Sequence, residues 1–327
     1  MKIKTVRNIK DWPYMDLVYE WEDQFHKELD APFIDIHKYD RYINKMISII
    51  NWNIFSLFPS STLEFLWQID AQTKNNRHNR SNILPAIIDF HLSQDKLNNF
   101  YHAYSNNPCI LISNLEVFNF LKNNSCPRII HHFPLSLPDK YKITPTTKFE
   151  KEYDLLLVGR TNPVLNDYLK KYIEKHKDFT YVYESKKIIL DYYTSKGKYI
   201  GQINTRKGYI DLIRKSKIAL YSTPGIDGGE SRTKGFNQVT PKFLEFLASG
   251  CHVIARYKQN PDTDYYQLEK FCSNINTYDE FEREMDKARN SKVDMKKYSE
   301  YLEDHYTSKR IELFKTILKE ENIAWKK

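Results

Sequence analysis

Short apolar runs alternate with longer segments of mixed polarity through the first 135 residues. Each run has the length of a buried strand, and segments between several of them, such as 93–104 and 115–123, have helical character. Strands that alternate with helices are typical of a parallel sheet covered on both faces. The predicted strands of this half are Met15–Tyr19, Phe33–Ile36, Ile54–Phe58, Leu63–Ile69, Ile83–Phe90, Cys109–Ser113 and Arg128–Phe133.

The same alternation restarts after a passage that contains Pro134, Pro138 and Pro145. Proline lacks the backbone donor that sheets and helices need, so this passage predicts a linker. The chain then closes with an amphipathic helix from about residue 306 to 323. The elements predicted between linker and final helix are strands Asp154–Val158, Phe179–Tyr183, Ile218–Ser222 and Cys251–Ala255, and helices Asn166–His176, Tyr209–Lys215 and Pro241–Ser249.

This pattern predicts two doubly wound α/β domains, one over 1–138 and one over 153–305, with a linker at 139–152. A length of 327 residues suits two domains of ordinary size. Ligands of such sheets bind beyond the carboxyl ends of the strands, which is where we look for a site.

Composition excludes several classes of protein. With 41% hydrophobic and 28% charged residues, the chain is globular rather than disordered. It has no apolar stretch of transmembrane length, and its basic N-terminus lacks the apolar region of a signal peptide. No C-x-x-C pair occurs among the cysteines, which argues against a zinc knuckle or a disulfide framework and favours a reducing cytoplasm. The four cysteines are Cys109, Cys126, Cys251 and Cys272.

Positive charge and glycine coincide in one part of the sequence. The formal net charge is +8, and residues 196–242 hold ten basic and three acidic residues. All nine glycines lie between Gly159 and Gly250, and four fall within eleven residues that start at Gly225. Glycine lets the backbone approach a ligand closely, and basic side chains attract an anion. The coincidence predicts a phosphate site that includes Gly225 and Lys234.

The segment 218–255 reads as strand, glycine-rich loop, helix and strand. Thr240 has the side chain of a helix N-cap, Pro241 suits the first turn, and Gly250 suits the residue after the helix. At about 100° per residue, Lys242 and Glu245 point away from the packed side of this helix. They form either an exposed ion pair or part of a ligand site. The apolar arc is Phe243, Leu244, Phe246, Leu247 and Ala248.

The run from Val239 to Ala255, VTPKFLEFLASGCHVIA, resembles the donor-site helix of GT-B glycosyltransferases, particularly the group-1 or family-4-like enzymes. Their pattern has a proline, a basic residue, two apolar residues, Glu, an apolar pair, two small residues and Gly before a strand. The segment 155–160, LLLVGR, resembles the first strand of their second domain. The resemblance covers most of the second half of the chain, whereas the first half matches only in its strand–helix rhythm.

The resemblance implies two Rossmann-like domains that face each other across a cleft, with the donor in the second. It assigns donor phosphates to Gly159 and Arg160, and donor ribose to Glu245. Thr240, Pro241 and Lys242 would meet the pyrophosphate. It also implies that the C-terminal helix, 306–327, packs back on the first domain. Asn237 stands where retaining members carry a Glu, so the stereochemical outcome does not carry over.

The implied activity is transfer of a sugar from a nucleotide-diphosphate donor to a carbohydrate or lipid-linked acceptor. The resemblance further implies bacterial surface polysaccharide biosynthesis, in the cytoplasm at the inner face of the membrane. Such enzymes usually need no metal, because Arg160, Lys234 and Lys242 would neutralise the leaving group, and no cofactor is expected. The acidic pair Asp262 and Asp264 is of the kind that binds a divalent metal in GT-A enzymes. Because it follows Asn260-Pro261, we predict a turn or helix cap instead.

The first domain is expected to bind the acceptor and, for an inverting reaction, to supply a general base. We favour Glu22 and His91 among the carboxylates and histidines near predicted strand ends. The other residues of that set are Glu20, Asp23, Asp35, His37, His131 and His132.

Three alternatives stay open on the sequence alone. A nucleotide-sugar epimerase of GT-B type would use the same donor without an acceptor. A pI near 9.0 also permits a nucleic-acid-binding or DNA-modifying protein. Finally, the segment 38–58 predicts a buried helix and strand, but its mixture of aromatic, basic and apolar residues also suits a membrane surface or a lipid-linked acceptor.

Overall fold

The computed structural model describes residues 1–5, 7, 15–36, 39–58, 60–185 and 189–325. The strands are β1 (Lys2–Thr5), β2 (Phe33–Asp35), β3 (Glu64–Asp70), β4 (Ile83–Asp89), β5 (Ile110–Ile112), β6 (Ile130–His132), β7 (Tyr153–Leu157), β8 (Tyr181–Glu184), β9 (Asp191–Thr194), β10 (Tyr199–Gln202), β11 (Ser216–Ser222) and β12 (His252–Arg256). The helices are α1 (Asp16–Leu29), α2 (Asp40–Ile50), α3 (Leu97–Ala103), α4 (Leu115–Asn123), α5 (Pro163–Lys175), α6 (Arg206–Arg214), α7 (Lys242–Ala248), α8 (Pro261–Tyr265), α9 (Tyr278–Asn290), α10 (Met295–Leu302) and α11 (Thr307–Glu320).

The chain divides into two compact units, each with its own sheet. The first unit comprises Met1–Asp139, Arg232–Phe236 and Tyr306–Lys327, and the second comprises Lys140–Ser231 and Asn237–His305. The first sheet has the order β2-β1-β3-β4-β5-β6 with all neighbours parallel. The second has the order β10-β9-β8-β7-β11-β12, in which β8, β7, β11 and β12 are parallel and β9 and β10 antiparallel.

Side chains of the first sheet alternate between two hydrophobic cores. In β5, Leu111 belongs to a core formed with α1 and α11, whereas its neighbours Ile110 and Ile112 belong to a core formed with α3 and α4. Because successive strand residues point to opposite faces, helices cover both sides of this sheet. The first unit is therefore doubly wound.

The C-terminal helix α11 completes the first of these cores. Phe314 is fully buried and lies at ring-centroid distances of 5.6 Å from Phe25 and 5.0 Å from Phe65. Arg310 Nε donates to the Pro134 carbonyl at 2.9 Å, and the Thr307 N–H donates to the Leu137 carbonyl at 2.9 Å. The last helix thus belongs to the first unit, although more than 160 residues separate it from the strands it covers.

The second sheet is also packed on two sides. Leu155 of β7 and Ile218 of β11 share a core with α5 and α9. Tyr221 of β11 has the opposite parity, and its ring centroid lies 5.6 Å from that of Phe243 in α7. Both units have the layered α/β architecture, and the prediction of two doubly wound Rossmann-like domains is confirmed.

Two predicted strands of the first unit are wrong. The segment Met15–Tyr19 enters helix α1, whose buried Val18, Trp21 and Phe25 follow a helical spacing that continues beyond the apolar run. The segment Ile54–Phe58 holds a 3-10 turn at Ile54–Leu57, where the Asn53 side chain accepts from the Phe55 N–H at 3.1 Å. This cap satisfies the backbone locally, so no sheet partner is needed.

Two further findings concern the predicted chemistry of the chain. Within the described residues, all four cysteines are free, and Cys109, Cys251 and Cys272 are buried. No helix in the described part of the chain has both the length and the apolar character to cross a bilayer. The predicted catalytic candidate His37 lies outside the described residues.

Candidate functional site

The strongest candidate site lies where β7 ends in the second unit. Gly159 follows this strand with a φ of +62°, in the left-handed region. A Cβ at this position would stand 2.7 Å from Lys242 Nζ, closer than van der Waals contact allows. Glycine therefore suits this position both for its backbone conformation and for the room it leaves to the flexible end of the lysine side chain. The structure brings together two predicted residues that are 83 positions apart.

Lys242 is held in place by the backbone at the end of β7. Its Nζ donates to the Val158 carbonyl at 3.1 Å. Burial of the ammonium lowers the pKa of Lys242 to about 8, with Glu245 opposing this shift and Arg160 adding to it. A negative charge beside a buried ammonium stabilises its protonated form, so this position favours an anion over a neutral ligand.

Arg160 extends the positive charge towards solvent. Its guanidinium forms an ion pair with Glu230 at 2.8 Å, and its side chain is 40% exposed. Glu230 lies one residue before the end of the second unit's part of the glycine-rich loop. A phosphate that bound Arg160 would compete with this carboxylate, so the pair is positioned to open when an anion enters.

The glycine-rich loop is anchored by Asp227 rather than left flexible by its glycines. Asp227 accepts from Arg256 Nη2 at 2.9 Å and from Asn162 Nδ2 at 2.8 Å. Asn162 follows strand β7, and Arg256 ends strand β12. These two strands flank β11, the strand that precedes the loop. Gly225 has a φ of −87°, which any residue adopts, so its glycine is not explained by backbone conformation. The positive φ values of this loop fall instead on Asp227, Gly228, Lys234 and Gly235.

The helix that carries Lys242 begins later than predicted. Pro241 occupies the N-cap position of α7, and no side chain caps the helix. The predicted N-cap role of Thr240 is wrong, because its N–H donates to the Tyr221 hydroxyl at 3.0 Å in the segment that precedes the helix.

Glu245 does not point away from the packed side of α7, and the predicted orientation is wrong. Its side chain is buried, and it accepts from Arg206 Nη2 at 2.6 Å. A helical projection recognises one packed side, but α7 contacts α6 and α10 as well as the sheet. The Glu245–Arg206 ion pair therefore lies within the protein. It is not the exposed Lys–Glu pair of the alternative interpretation.

Sequence reasoning missed Arg206, Arg256 and Asp227. Arg206 opens α6 and stacks its guanidinium on Tyr141 and Tyr209, at 5.6 and 5.4 Å from the ring centroids. In the sequence, Arg206 is only one of the basic residues that give the segment 196–242 its excess of positive charge. No local pattern links Arg206 to Glu245, which lies 39 residues later. The two other residues form an ion pair across 29 positions, which also has no local signature.

The acidic pair of the second unit has separate structural tasks. Asp262 is fully buried, and its carboxylate accepts from the Val239 N–H. The cap of α8 is a reciprocal pair between Asn260 and Thr263, so the predicted turn and helix start are present, with Asn260 as the cap. Asp264 accepts from the Gln259 side chain. These partners argue against a shared metal site for the two aspartates.

The catalytic candidates Glu22 and His91 belong to the first unit, at different strands. Glu22, on α1, accepts from Thr5 Oγ1 at 2.8 Å beside the end of β1. Burial raises the pKa of Glu22 to about 7, although Thr5 and Arg7 oppose the shift. His91 follows β4, which is separated from β1 by β3. The two residues therefore do not form one cluster.

His91 is paired with a carboxylate. Its Nδ1 lies 2.8 Å from Asp70 Oδ1, at the end of β3. The register pairs Asp70 with Asp89, and ligand atoms of Asp70, Asp89 and His91 all lie within 4.8 Å of one another. These three residues are the group of the described chain that could hold a metal ion. Lys234 also belongs to the first unit, in the segment Arg232–Phe236.

Comparisons with known proteins find distant similarity to solved structures. No protein-family model and no curated protein matches the sequence. Among solved structures, the GtfA/B complex has a TM-score of 0.48 at 10% identity, and the pneumococcal O-GlcNAc transferase GtfA in complex with UDP and GlcNAc has 0.47 at 10%. Each match covers 88% of this chain and 61% of the other.

Sucrose-phosphate synthase from Thermosynechococcus elongatus has a TM-score of 0.48 at 10% identity, over 88% of this chain and 81% of that one. The glycotransferase of kitacinnamycin has 0.45 at 9%, over 96% and 98%. The chain spans about three fifths of the length of the first two proteins. At these scores the likeness carries no argument about function, which must come from the residues themselves.

Proposed function

We propose that this protein is a glycosyltransferase that binds a nucleotide-diphosphate sugar in its second unit and transfers the sugar to a carbohydrate or lipid-linked acceptor. The observation that carries the proposal is the Lys242 ammonium, packed against Gly159 at the carboxyl end of a parallel strand. Sheets of this type bind ligands at that edge. The resemblance of the segment 239–255 to the donor helix of GT-B enzymes supports the same residues. Bacterial surface polysaccharide biosynthesis in the cytoplasm is part of the proposal, and rests on that resemblance.

Arg160 and Lys242 would stabilise the leaving group. Negative charge develops on the diphosphate as the glycosidic bond breaks, and preorganised cations in a partly buried site stabilise this charge more than water does. Lys242 would take up full positive charge as the diphosphate arrives, and Arg160 would exchange Glu230 for a phosphate oxygen. We propose that these groups make a metal unnecessary.

By the resemblance, Glu245 would hold the donor ribose. Because its carboxylate is buried and accepts from Arg206 Nη2 at 2.6 Å, this role requires that one carboxylate oxygen reach the ribose while Arg206 holds the other. Of the first-unit residues, Glu22 has a pKa of about 7, raised by burial, which suits a general base near neutral pH. His91, paired with Asp70, is the second candidate for that role.

The proposal is tested by calorimetric titration of the protein with UDP, GDP and ADP, which share the diphosphate. Lys242→Met should weaken the best binder by about 1.5–3 kcal/mol, the range for a hydrogen bond to a charged group. Near pH 8 the wild type should take up about half a proton on binding, because the anion raises a lysine pKa that starts at about 8. At pH 6 the lysine is already protonated, so the uptake should vanish.

Lys170→Met is the matched control, since this lysine lies on α5 with its side chain 66% exposed. It should leave affinity and proton uptake unchanged, and EDTA should change neither. Loss of binding in EDTA would contradict metal independence and direct attention to Asp70, Asp89 and His91. If wild type and Lys242→Met bound the nucleoside diphosphate with equal affinity, the donor site would not lie at this position. Donor turnover without any acceptor would favour the epimerase alternative.

A further inference from the structure

Ten of the fourteen large apolar residues that are exposed in the described chain lie within residues 39–58, which hold α2 and the turn that follows it. We call this apolar surface the α2 surface, and we expected this segment to be buried. Met46 is 66% exposed and Ile49 73%, although both are large apolar side chains. The α2 surface consists of Tyr39, Tyr42, Met46, Ile49, Ile50, Trp52, Ile54, Phe55, Leu57 and Phe58.

Several polar side chains of this segment face the protein, although Lys45 is exposed. Asp40 is buried and forms an ion pair with Arg77, whose backbone N–H donates to Asn44 Oδ1 at 3.0 Å. The buried Asn53 donates to the carbonyls of Asn76 and Asn79 at 3.0 and 3.1 Å. Hydrogen bonds thus attach the segment to the loop at 75–80.

An ordinary surface helix buries its apolar stripe and exposes its polar one, whereas α2 buries Asp40 together with Ile47 and exposes several large apolar side chains. Met46 follows Tyr42 by four residues, and Ile49 and Ile50 follow Met46 by three and four, so these side chains form one outward stripe. A stripe of this size in water is unfavourable unless something covers it, and such patches mark interaction sites.

Charge and aromatic content identify what covers it. By sequence, the segment 38–58 holds three basic residues and a single acidic one, Asp40, which is already paired with Arg77. Arg80 Nη2 donates to the Phe58 carbonyl at 2.7 Å and brings a guanidinium to the edge of the surface. Apolar side chains with Trp and Tyr beside basic groups are typical of helices that lie in the headgroup region of a bilayer.

We propose that the α2 surface binds an anionic lipid bilayer, with α2 in the plane of the membrane and its apolar stripe inserted among the headgroups. A helix of eleven residues is too short to span a bilayer but long enough to lie on one. The exposed apolar side chains, together with the three basic residues that the sequence has in this segment, suit a negatively charged lipid layer. The inference does not rest on the transfer chemistry, because no donor or acceptor takes part in the contact.

Vesicle co-sedimentation tests this proposal. The protein is mixed with vesicles of phosphatidylcholine alone or of phosphatidylcholine with phosphatidylglycerol. The wild type should bind the anionic vesicles more tightly, and added salt should weaken the binding. Replacing Ile49 and Ile50 by Ser should reduce the partition ratio at least about tenfold, because two large apolar side chains no longer insert.

Ile129→Ser is the matched control, since Ile129 is 50% exposed on the same unit but outside the α2 surface. It should bind vesicles like the wild type. Far-UV circular dichroism should be unchanged in all variants, and Met46→Ser serves as a second test if the double variant misfolds. Equal binding of the double variant and wild type would overturn the proposal, as would failure of the wild type to bind anionic vesicles. The surface would belong to an interface with a second copy instead if sedimentation equilibrium showed that the wild type is a dimer and the double variant a monomer, and if neither bound vesicles.

Discussion

Gly159 illustrates how a single residue controls the candidate site. Its backbone adopts a positive φ. It also leaves room for the Lys242 ammonium, whose Nζ lies 2.7 Å from the position that a Cβ would occupy. Gly197, in the turn between β9 and β10, has a φ of +83° with no atom near its missing Cβ. Substitutions at the two glycines therefore distinguish two effects: the free-energy cost of a side chain at positive φ, and the contact of that side chain with a neighbour.

Gly159→Ala and Gly197→Ala should each destabilise the protein by about 1–2 kcal/mol, because alanine disfavours the left-handed region. Only Gly159→Ala should also weaken nucleoside diphosphate binding, since its methyl group displaces Lys242. Denaturant unfolding and calorimetric titration of both variants measure these effects. Equal affinities of the two variants would contradict the assignment of Gly159 to the site.

Glu22 makes the stability of the first unit depend on pH. Its folded-state pKa is raised from 4.5 to about 7 by burial, so the protonated form fits the folded protein better than the ionised form. This contribution is fully present below pH 4.5 and is lost as the pH rises through 7, by about 3 kcal/mol in total. Glu22→Gln should remove that loss, which denaturant unfolding at pH 5 and pH 8 can measure.

The variant Thr5→Val provides a second test of this pH dependence of stability. It keeps Glu22 ionisable but removes the hydroxyl that donates to the carboxylate. Because that bond lowers the pKa, the pH-dependent loss should become larger, not smaller. An unchanged pH dependence in Glu22→Gln would show that another group is responsible.

At the scale of elements, helices α6 and α7 are joined by a buried ion pair. The side chains of Arg206 and Glu245 are 13% and 4% exposed. Arg206→Met should destabilise the protein by about 3–5 kcal/mol, because it leaves a buried carboxylate without its cation. The double variant with Glu245→Gln should recover part of this stability. A double-mutant cycle in denaturant unfolding measures the coupling, and strictly additive effects would contradict the pairing.

For the whole molecule, the decisive feature is that each unit has its own core. The fully buried Phe314 lies in the core of the first unit, whereas Gly159 and Lys242 belong to the second. Phe314→Ala should cost the first unit about 3–5 kcal/mol. A saturating nucleoside diphosphate should stabilise only the second unit, by about 2.7 kcal/mol at one hundred times Kd.

Differential scanning calorimetry should therefore resolve two transitions that respond separately. The substitution should lower the melting temperature of one, and the nucleotide should raise that of the other. Ile189→Ala is a control for the substitution, because this side chain is 70% exposed and belongs to the second unit. A single transition that shifts with both changes would show that the units unfold together.

The sequence determined those features whose signals are local. Apolar runs of strand length, separated by helical segments, specified two parallel-sheet units, because burial on both faces requires such runs. Glycine at 159 and the run around Lys242 indicated a phosphate site, since backbone conformation and helix patterns are encoded within a few residues. The same local reading failed where a short apolar run belonged to a helix, as at Met15–Tyr19.

Only the tertiary structure decided which distant residues meet. The burial of Glu245 against Arg206, the anchoring of Asp227 by Arg256 and the proximity of Lys242 to Gly159 depend on packing between elements, which leaves no trace in local spacing. The outward stripe of α2 is the clearest case. The sequence predicts a buried helix and strand in this segment, but contacts of Asp40 and Asn53 with the loop at 75–80 accompany a helix whose Met46 and Ile49 are exposed.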